Sequence, residues 1–329
     1  MEKIDFVIPW VDGNDKAWQE ERNKYDVNSG ADDRNIRYRD WDNLKYWFRG
    51  VEKYAPWVNK IYFITWGHIP EWLNTENEKL VIVNHKDYIP EEYLPTFSSH
   101  TIELNMHRIK GLSEKFVYFN DDMFINNYVK EEDFFKNGLP CASAILNPIV
   151  ADGKDIIHHI FLNNMEIINS HFNMKISIKN NKAKWFTLKN RQYLYRNIVL
   201  LPWHNFPGFK QLHTPNAFLK STFETIWKKE EEILNKTCRN AFRSKNDVSQ
   251  YVFKDWQIAE GKFYPADVKN GQFYNITNDN SNIIEDIKQG KHKMICLNDS
   301  ENIDNYEKEK EIINKAFEEK LSSKCSFEK

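Results

Sequence analysis

Short apolar segments alternate with segments of helical spacing over the first part of the chain. Runs rich in apolar, aromatic or β-branched residues predict strands at residues 4–11, 60–65, 80–85 and 115–122. Apolar residues that recur every three to four positions predict helices at residues 41–53 and 98–109, with a short helix at 71–73. Strands that alternate with helices indicate an α/β fold, in which ligands bind at the carboxyl ends of parallel strands.

Beyond residue 150 the chain becomes rich in Asn and Lys, and the pattern shifts toward helices. Helical segments are predicted at residues 155–175, 217–237 and 301–321. We therefore expect an α/β core over residues 1–150, a mainly helical cap over 151–260, and a return to the core with a C-terminal helix over 261–329.

Composition narrows the classes of function. The 329 residues include 46 basic and 48 acidic side chains, a balance that argues against a nucleic-acid partner. No apolar stretch approaches the length of a membrane span, so any membrane contact is expected to be peripheral. The four cysteines are widely spaced and form no zinc or disulfide pattern, which favours a reducing cytoplasm.

Paired carboxylates follow the predicted strand at 115–122. Asp121 and Asp122, preceded by Asn120, could bind a hard divalent cation, although a solvated turn would explain them equally. Asp12 and Asp15 follow the first strand and could converge with them at the same edge of the sheet. For Asp15 alone a helix N-cap or Asx turn is the preferred interpretation.

Basic side chains supply candidates for phosphate contact and proton transfer. Each arginine taken alone is expected to form a surface ion pair, yet a guanidinium also suits phosphate oxygens; the candidates are Arg37, Arg39, Arg49, Arg239 and Arg243. His213 lies in a predicted loop, where its imidazole could accept a proton. The histidines that compete for this role are His100, His107, His158, His159 and His204.

A last apolar stretch, MICL, ends at Asn298 and Asp299, which offer further oxygen ligands. Within this stretch Cys296 is interpreted as a small buried hydrophobic residue and not as a nucleophile.

Taken together, these segments resemble the Stealth family of sugar-phosphate transferases, which includes bacterial capsule polymerases and the catalytic part of lysosomal-enzyme N-acetylglucosamine-1-phosphotransferase. IDFVIPWVDGND resembles the first conserved block of the family. The second block is similar to RYRDWDNLKYWFRGVEKYAPWVNKIYFITWGHIPEWLN and, further on, to LPTFSSHTIELNMHRIKGLSEKFVYFNDDMF. HTPNAF with CRNAFRSKNDV resembles the third block, and ICLNDS the fourth.

The resemblance implies a Rossmann-like fold of the nucleotide-sugar-transferase type, with a mixed sheet and a helical cap. It implies transfer of a hexose-1-phosphate or N-acetylhexosamine-1-phosphate from a UDP-sugar to a sugar hydroxyl, with release of UMP, in capsule or exopolysaccharide synthesis. The implied cofactor is Mg²⁺ or Mn²⁺, and the implied acceptor is an oligosaccharide or a lipid-linked glycan. A cytoplasmic location at the inner face of the membrane and a homo-oligomer are further expectations.

On this resemblance the candidate residues acquire roles. His213 is the expected general base, and Asp12, Asp122 and Arg243 are the other expected catalytic residues. Donor contacts are expected from Trp10, Gly13, Arg39 and Asn120. The expected metal ligands are Asp121, Asp122, Asn298 and Asp299.

Two other functions would use the same residue types. A conventional metal-dependent glycosyltransferase would use the same aspartates but would release UDP and form a glycosidic bond. A catalytically silent carbohydrate-binding protein would need only the abundant aromatic residues, which make up 15% of the chain. The product of the reaction distinguishes these alternatives.

Overall fold

The computed structural model describes residues 3–25, 39–150, 156–300 and 303–329. The described strands are β1 (Ile4–Pro9), β2 (Ile61–Thr65), β3 (Leu80–Asn84), β4 (Lys115–Tyr118), β5 (Met123–Ile125), β6 (Phe135–Lys136), β7 (Leu139–Ala142), β8 (Asn216–Leu219), β9 (Tyr264–Pro265), β10 (Gly271–Asn275) and β11 (Met294–Asn298). The described helices are α1 (Lys16–Tyr25), α2 (Leu44–Tyr54), α3 (Ser99–Leu104), α4 (Glu131–Phe134), α5 (Ile157–His171), α6 (Met174–Asn180), α7 (Lys182–Trp185), α8 (Leu194–Val199), α9 (Lys220–Lys229), α10 (Glu231–Cys238), α11 (Tyr251–Glu260), α12 (Ser281–Gln289) and α13 (Tyr306–Lys320).

A central five-stranded sheet has the order β3-β2-β1-β4-β8. Its first four strands are parallel, and β8 pairs antiparallel with β4. This arrangement confirms the predicted α/β class with a mixed sheet. Because β8 runs in the opposite direction, the residues that precede it lie at the same edge as the residues that follow β4.

Two smaller sheets extend this framework. In one, β10, β11 and β5 lie side by side, with β11 antiparallel to β5. In the other, β7 lies between β6 and β9. The first of these sheets brings the C-terminal part of the chain next to the segment that follows β4.

Side chains alternate between two apolar cores on the faces of the central sheet. Phe6 and Ile8 of β1 face one core, where α2 and α13 pack, while Val7 faces the other. The second core contains apolar residues of α5, α9 and α11. Helices from the predicted cap range therefore cover one face of the sheet, although the three-part division of the chain stays a prediction.

Arg49 explains how the C-terminal tail attaches to α2. Its guanidinium is only 6% exposed and donates to both carboxylate oxygens of Glu328, at 2.7 and 2.8 Å. It also donates to the carbonyl oxygen of Leu321 at 2.6 Å. Such a buried, fully hydrogen-bonded pair fixes the tail, and its removal would leave a buried charge without a partner. Arg49 is thus a structural residue and not a phosphate ligand.

Several boundaries differ from the sequence predictions. The prediction of a helix at 71–73 is wrong, because this segment forms a turn and Leu73 makes a bridge with Glu328. The prediction of a helix from residue 217 is wrong at its start: residues 216–219 are strand β8, and the helices α9 and α10 follow it. Pairing with β4 outweighs the helical pattern there.

Other elements are confirmed with shifted ends. The strand predicted at 4–11 ends at Pro9, and the strand predicted at 115–122 ends at Tyr118. The helix predicted at 98–109 is divided into α3 and a 3₁₀ turn over Met106–Arg108. Among the described residues, no helix has the combination of length and apolar character needed to cross a bilayer.

Candidate active site

The loops at one edge of the central sheet bring together residues that are far apart in sequence. Residues 10–15 follow β1, residues 119–122 follow β4, and residues 210–215 precede the antiparallel strand β8. The pairing of Tyr118 with Val7 on one side and with Asn216 on the other places all three loops at this edge. The geometry is that of a ligand site at the carboxyl ends of parallel strands.

Asp122, His213 and Cys296 form the centre of this edge. Among the described residues, theirs is the group of three potential metal-ligating side chains whose ligand atoms lie within 4.8 Å of one another. His213 Nε2 lies 3.7 Å from Asp122 Oδ2, and Cys296 Sγ donates a hydrogen bond to the same oxygen at 3.2 Å. The other carboxylate oxygen, Asp122 Oδ1, is buried without a hydrogen-bond partner. A buried carboxylate oxygen in that state is suited to a cation.

Asp121 adds a second carboxylate beside Asp122. The Asp121 side chain is exposed, yet the protein packed around its carboxyl group disfavours the charged form. The negative charges of Asp122 and Asp40 disfavour it further. Together they raise the pKa of Asp121 to about 7. Crowded carboxylates of this kind repel one another, and a divalent cation would relieve the repulsion.

Asn120 is fixed by a buried tyrosine. The Tyr118 hydroxyl lies 2.5 Å from Asn120 Oδ1 and 2.9 Å from Glu103 Oε1. Burial and the neighbouring Glu103 raise the pKa of Tyr118 well above its ordinary value, so the hydroxyl keeps its proton for hydrogen bonding. The first residue of the Asn120–Asp122 turn is therefore anchored to α3.

Asp12 lies in a turn that is tied to the loop after β2. Its backbone N–H donates to His68 Nε2 at 2.9 Å, and its Oδ1 accepts from the Asn14 N–H at 2.9 Å. Burial lowers the pKa of His68, which is consistent with a neutral ring that accepts at Nε2. Asp15 Oδ1 accepts from the Trp18 N–H at 3.0 Å at the start of α1, so the N-cap interpretation of Asp15 is confirmed.

His213 is held in an unusual backbone conformation. Its φ of 49° lies in the left-handed region, which non-glycine residues seldom adopt outside functional or strained sites. The centroids of the His213 and Phe273 rings lie 5.5 Å apart in a T-shaped arrangement. His213 Nδ1 lies 2.8 Å from the Tyr251 hydroxyl. Gly271 lets the loop approach β10, since a Cβ there would lie 2.5 Å from Thr214 Cγ2. Phe273 and Tyr251 thus orient Nε2 of His213 toward Asp122.

Arg243 reaches the same end of the molecule through a small apolar cluster. Phe242, the residue before it, packs with Trp18 and Phe97, next to Val11 of the first loop. The Arg243 guanidinium donates to Ser99 Oγ at 2.6 Å. The loop after β1, the start of α3 and the segment around Arg243 therefore meet here, although the contact between Arg243 and a diphosphate stays a prediction.

Arg39 and Asp299, predicted to bind different ligands, bind each other. The guanidinium donates to both carboxylate oxygens at 2.8 and 2.7 Å, and it lies 4.4 Å over the Tyr306 ring. The side-chain N–H of Asn298 donates to Asn275 Oδ1 at 2.8 Å. The side-chain oxygen of Asn298, Oδ1, is therefore the atom that could reach a metal. The metal roles of Asp299 and Asn298 stay predictions.

The two remaining predicted donor contacts lie beside the first loop. Trp10 is stacked on Phe63 at 5.8 Å and contacts the His68 ring edge-on at 5.2 Å. The Gly13 carbonyl accepts from Gln19 Nε2 at 2.7 Å. Both residues lie at the site edge, and their contact with a donor stays a prediction.

The competing histidines and arginines lie in other environments. His100 is buried with Nδ1 3.0 Å from Asp247, His107 is buried against aromatic rings, and His204 is exposed. Arg239 forms an exposed ion pair with Glu92, as expected of a surface arginine. Arg37 lies outside the described residues. His213, in contrast, lies beside Asp122, with Nε2 3.7 Å from Oδ2.

Three residues of the site were not among the sequence predictions. Asp40 adds to the negative charge near Asp121, while Tyr251 and His68 orient the two loops. Asp40 follows directly after Arg39 in the second block, which was the available signal. Tyr251 and His68 lie on other elements and make contacts that only the fold reveals.

Comparison with known proteins assigns the chain to a family. Conserved region 1 of the Stealth proteins matches residues 2–30, and conserved region 2 matches residues 37–141. The capsular polysaccharide phosphotransferase WcwK of Streptococcus pneumoniae is 46% identical over 100% of this chain and 99% of its own length. The chain belongs to the Stealth family of polysaccharide phosphotransferases.

Another relative of this Stealth protein is the receptor polysaccharide phosphotransferase WefC of Streptococcus gordonii, 40% identical over 100% of this chain and 99% of its own length. Among solved structures, the glycosyltransferase GlyE of Streptococcus pneumoniae aligns with a TM-score of 0.40 at 10% identity, covering 98% of this chain and 64% of that chain. The expected matches to the third and fourth blocks stay predictions.

The Stealth site offers carboxylate oxygens that could bind a hard cation. Asp122, His213 and Cys296 include ligand types that zinc also uses. Burial, and after it the charge of Asp122, raises the pKa of the metal-free Cys296 thiol far above its ordinary value. The thiol therefore stays protonated and donates to Asp122. The carboxylates of Asp121 and Asp122, including the unpartnered Oδ1, are the donors that Mg²⁺ or Mn²⁺ prefers.

Tyr251 offers a first test of this geometry. Burial and then Glu103 raise its pKa well above its ordinary value, so its neutral hydroxyl can accept from His213 Nδ1–H and leave Nε2 free to take a proton. Tyr251→Phe is expected to lower kcat by about 10–100-fold with little change in KM, because the orienting hydrogen bond is lost while the ring remains. Nitrogen NMR of the histidine ring should show a mixed tautomer. An unchanged kcat and tautomer would exclude this role.

Proposed function

We propose that this chain transfers a hexose-1-phosphate or N-acetylhexosamine-1-phosphate group from a UDP-sugar to a sugar hydroxyl. The acceptor oxygen attacks the β-phosphorus of the UDP-sugar. The bond between the β-phosphorus and the oxygen that links it to the α-phosphorus breaks, and UMP leaves. A phosphodiester forms, and the acceptor gives up its proton. Membership of the polysaccharide phosphotransferase family supports phosphotransfer in polysaccharide synthesis, and the site geometry supports the finer assignment.

The observation that supports this reaction best is the position of His213 Nε2 opposite the carboxylates. It lies 3.7 Å from Asp122 Oδ2 at the open edge of the sheet. A free imidazole nitrogen beside the diphosphate site is placed to accept the proton of an attacking hydroxyl. Tyr251 on Nδ1 orients the ring for this step.

The diphosphate would be neutralised from two sides. Asp121 and Asp122 would hold Mg²⁺ or Mn²⁺, which, when bound, offsets the negative charge of the phosphates. Arg243 lies at the same end of the molecule and would contribute a guanidinium to the phosphate oxygens. Asn298 would complete the oxygen ligands, and Asp12 would orient the donor or the acceptor from the first loop.

Arg39 has a different role in this proposal from the one expected. Because its guanidinium already binds both oxygens of Asp299, it would fix the loop after β11 beside the donor and would reach phosphate only by exchanging this partner. Trp10, Gly13 and Asn120 would contact the nucleotide-sugar at the edges of the three loops. The acceptor would be an oligosaccharide or a lipid-linked glycan.

Product analysis tests the proposal. The protein, incubated with a panel of UDP-sugars, a sugar acceptor and Mg²⁺, is expected to release UMP and form a phosphodiester, and excess EDTA is expected to abolish turnover. The control variant Arg239→Ala, which removes an exposed arginine that pairs with Glu92, should show the same turnover as the wild type. UDP with a glycosidic product would establish a conventional glycosyltransferase instead. Sugar binding without turnover would establish a binding protein.

A further inference from the structure

Exposed apolar side chains concentrate in one segment of the predicted cap range. Of the twelve exposed large hydrophobic residues in the described part of the chain, seven lie between residues 176 and 203. Six of them lie on the 3₁₀ helix before α8, on α8 itself or within four residues after it, with Leu188 at 82% and Val199 at 62% exposure. We call this set the 188–203 surface: Leu188, Tyr195, Ile198, Val199, Leu201 and Trp203.

The 188–203 surface belongs to a firmly anchored helix. Tyr195, Ile198 and Val199 have the spacing of a single helix face. On the opposite face the buried Asn197 accepts from the Leu146 N–H at 2.8 Å and donates to the carbonyl oxygens of Ala144 and Trp185, at 2.8 and 2.9 Å. The outward apolar face is therefore fixed by the fold, and its exposure needs a physical explanation.

The same part of the chain is strongly basic. Between Glu166 and Glu224 there is no acidic residue, yet this stretch contains nine lysines and arginines, in a protein with a net charge of −2. Lys175, Lys179 and Lys182, on α6 and α7, are exposed. A positive segment that exposes aliphatic and aromatic side chains has the composition of a helix that lies in the interface of an anionic bilayer.

We propose that the 188–203 surface docks onto an anionic membrane surface. The apolar face of α8, with Leu201 and Trp203 after it, enters the headgroup layer, where Trp and Tyr are favoured. The exposed lysines of α6 and of α7, whose Trp185 carbonyl accepts from Asn197 of α8, contact the acidic headgroups. The charge complementarity favours lipid over a second copy of this chain, because two copies meeting at this segment would bring like charges together.

The docked surface adjoins the loop of His213. The Lys210 ammonium lies 5.0 Å over the ring of Tyr193, which immediately precedes α8, and His213 follows three residues later. A glycan that is linked to a membrane lipid would thus reach the site from the side of the general base. This consequence rests on the proposed function, whereas binding to the membrane does not.

Vesicle flotation of the full chain without donor tests the docking. The chain is expected to float with vesicles of phosphatidylcholine and phosphatidylglycerol, to bind pure phosphatidylcholine at least about tenfold more weakly, and to dissociate as salt rises. The variant with Ile198→Ser, Val199→Ser and Trp203→Ser is expected to bind at least about tenfold more weakly. Its circular dichroism and thermal melting should match those of the wild type.

Two matched controls separate this surface from general effects. Tyr128→Ser removes an equally exposed aromatic residue, 63% exposed, from another part of the molecule and should leave flotation unchanged. Lys175→Gln, Lys179→Gln and Lys182→Gln together should weaken binding at least about tenfold, while Lys228→Gln, Lys229→Gln and Lys236→Gln, in the glutamate-rich helices α9 and α10, should not.

Three results would overturn the proposal. The first is the absence of flotation with anionic vesicles. The second is flotation that the serine variant does not weaken. The third is a concentration-dependent dimer that the serine variant abolishes, which would assign the surface to a second copy of the chain. Each outcome is independent of whether the chain releases UMP, because no donor is present.

Discussion

Replacing His213 with alanine is expected to lower kcat by about 10²–10⁴, the usual contribution of a general base, while the affinity for UDP-sugar and metal remains nearly intact. The imidazole lies opposite Asp122 with Nε2 at 3.7 Å, and its other nitrogen is engaged by Tyr251. Single-turnover kinetics would measure the chemical step, and calorimetric titration would measure donor binding. Binding should survive while chemistry fails.

The control for this variant is His204→Ala, since His204 is exposed on another loop. It should retain full turnover in a soluble assay. A His213→Ala variant that loses donor affinity as severely as turnover would show that the imidazole is a phosphate or structural contact. The base would then have to be Asp12 or another carboxylate of the loops.

Replacing Asp122 with asparagine should damage both binding and chemistry. The side chain keeps its shape and can still accept from Cys296, but the negative charge and the unpartnered Oδ1 carboxylate atom are lost. We expect metal-dependent donor affinity to fall by more than about tenfold, and turnover to fall with it, because the cation links the protein to the diphosphate. Titration of UDP-sugar with and without Mg²⁺ measures this linkage.

Asp304→Asn provides the matched control, because it removes one carboxylate from an exposed position. Its metal-dependent affinity should equal that of the wild type. An Asp122→Asn variant that binds donor and Mg²⁺ normally would exclude Asp122 as a ligand and would leave Asp121 with Asn298 as the alternative. The two variants at His213 and Asp122 thus separate base from metal ligand, even when both are inactive in a steady-state assay.

The α/β class and the position of the Asn120–Asp122 turn were predictable because both follow from local patterns. Buried strands in this protein are short runs of apolar residues, and a polar turn directly after such a strand lies at the sheet edge whatever the rest of the chain does. The turn after β1 obeys the same rule, so the approach of residues 10–15 to residues 119–122 was also predictable.

The position of His213 relative to this turn depends on a strand whose pairing the sequence does not show. Strand β8 has only four residues and leads directly into a helical pattern, which hid it. Its antiparallel pairing with β4 moves the preceding loop to the carboxyl edge. The family resemblance supplied the role of His213, whereas the physical reason for its position came from the sheet.

Long-range partners were the least predictable part of the site. Tyr251 is 38 residues from His213, and Arg39 is 260 residues from Asp299. Neither separation corresponds to a helix or strand period, so spacing cannot pair them. An arginine and an aspartate that are each suited to a ligand can satisfy one another when the fold brings them together, as they do here.

The fate of the oxygen between sugar C1 and the β-phosphorus distinguishes transfer of a sugar phosphate from transfer of the sugar alone. A UDP-sugar carrying a heavy oxygen isotope at this atom would be incubated with the protein, Mg²⁺ and acceptor, and the products analysed by mass spectrometry. We expect the label to appear entirely in the sugar phosphodiester and unlabelled UMP to be released, because the bond between the sugar and this oxygen survives. Label in released UDP, with an unlabelled glycoside, would contradict this expectation.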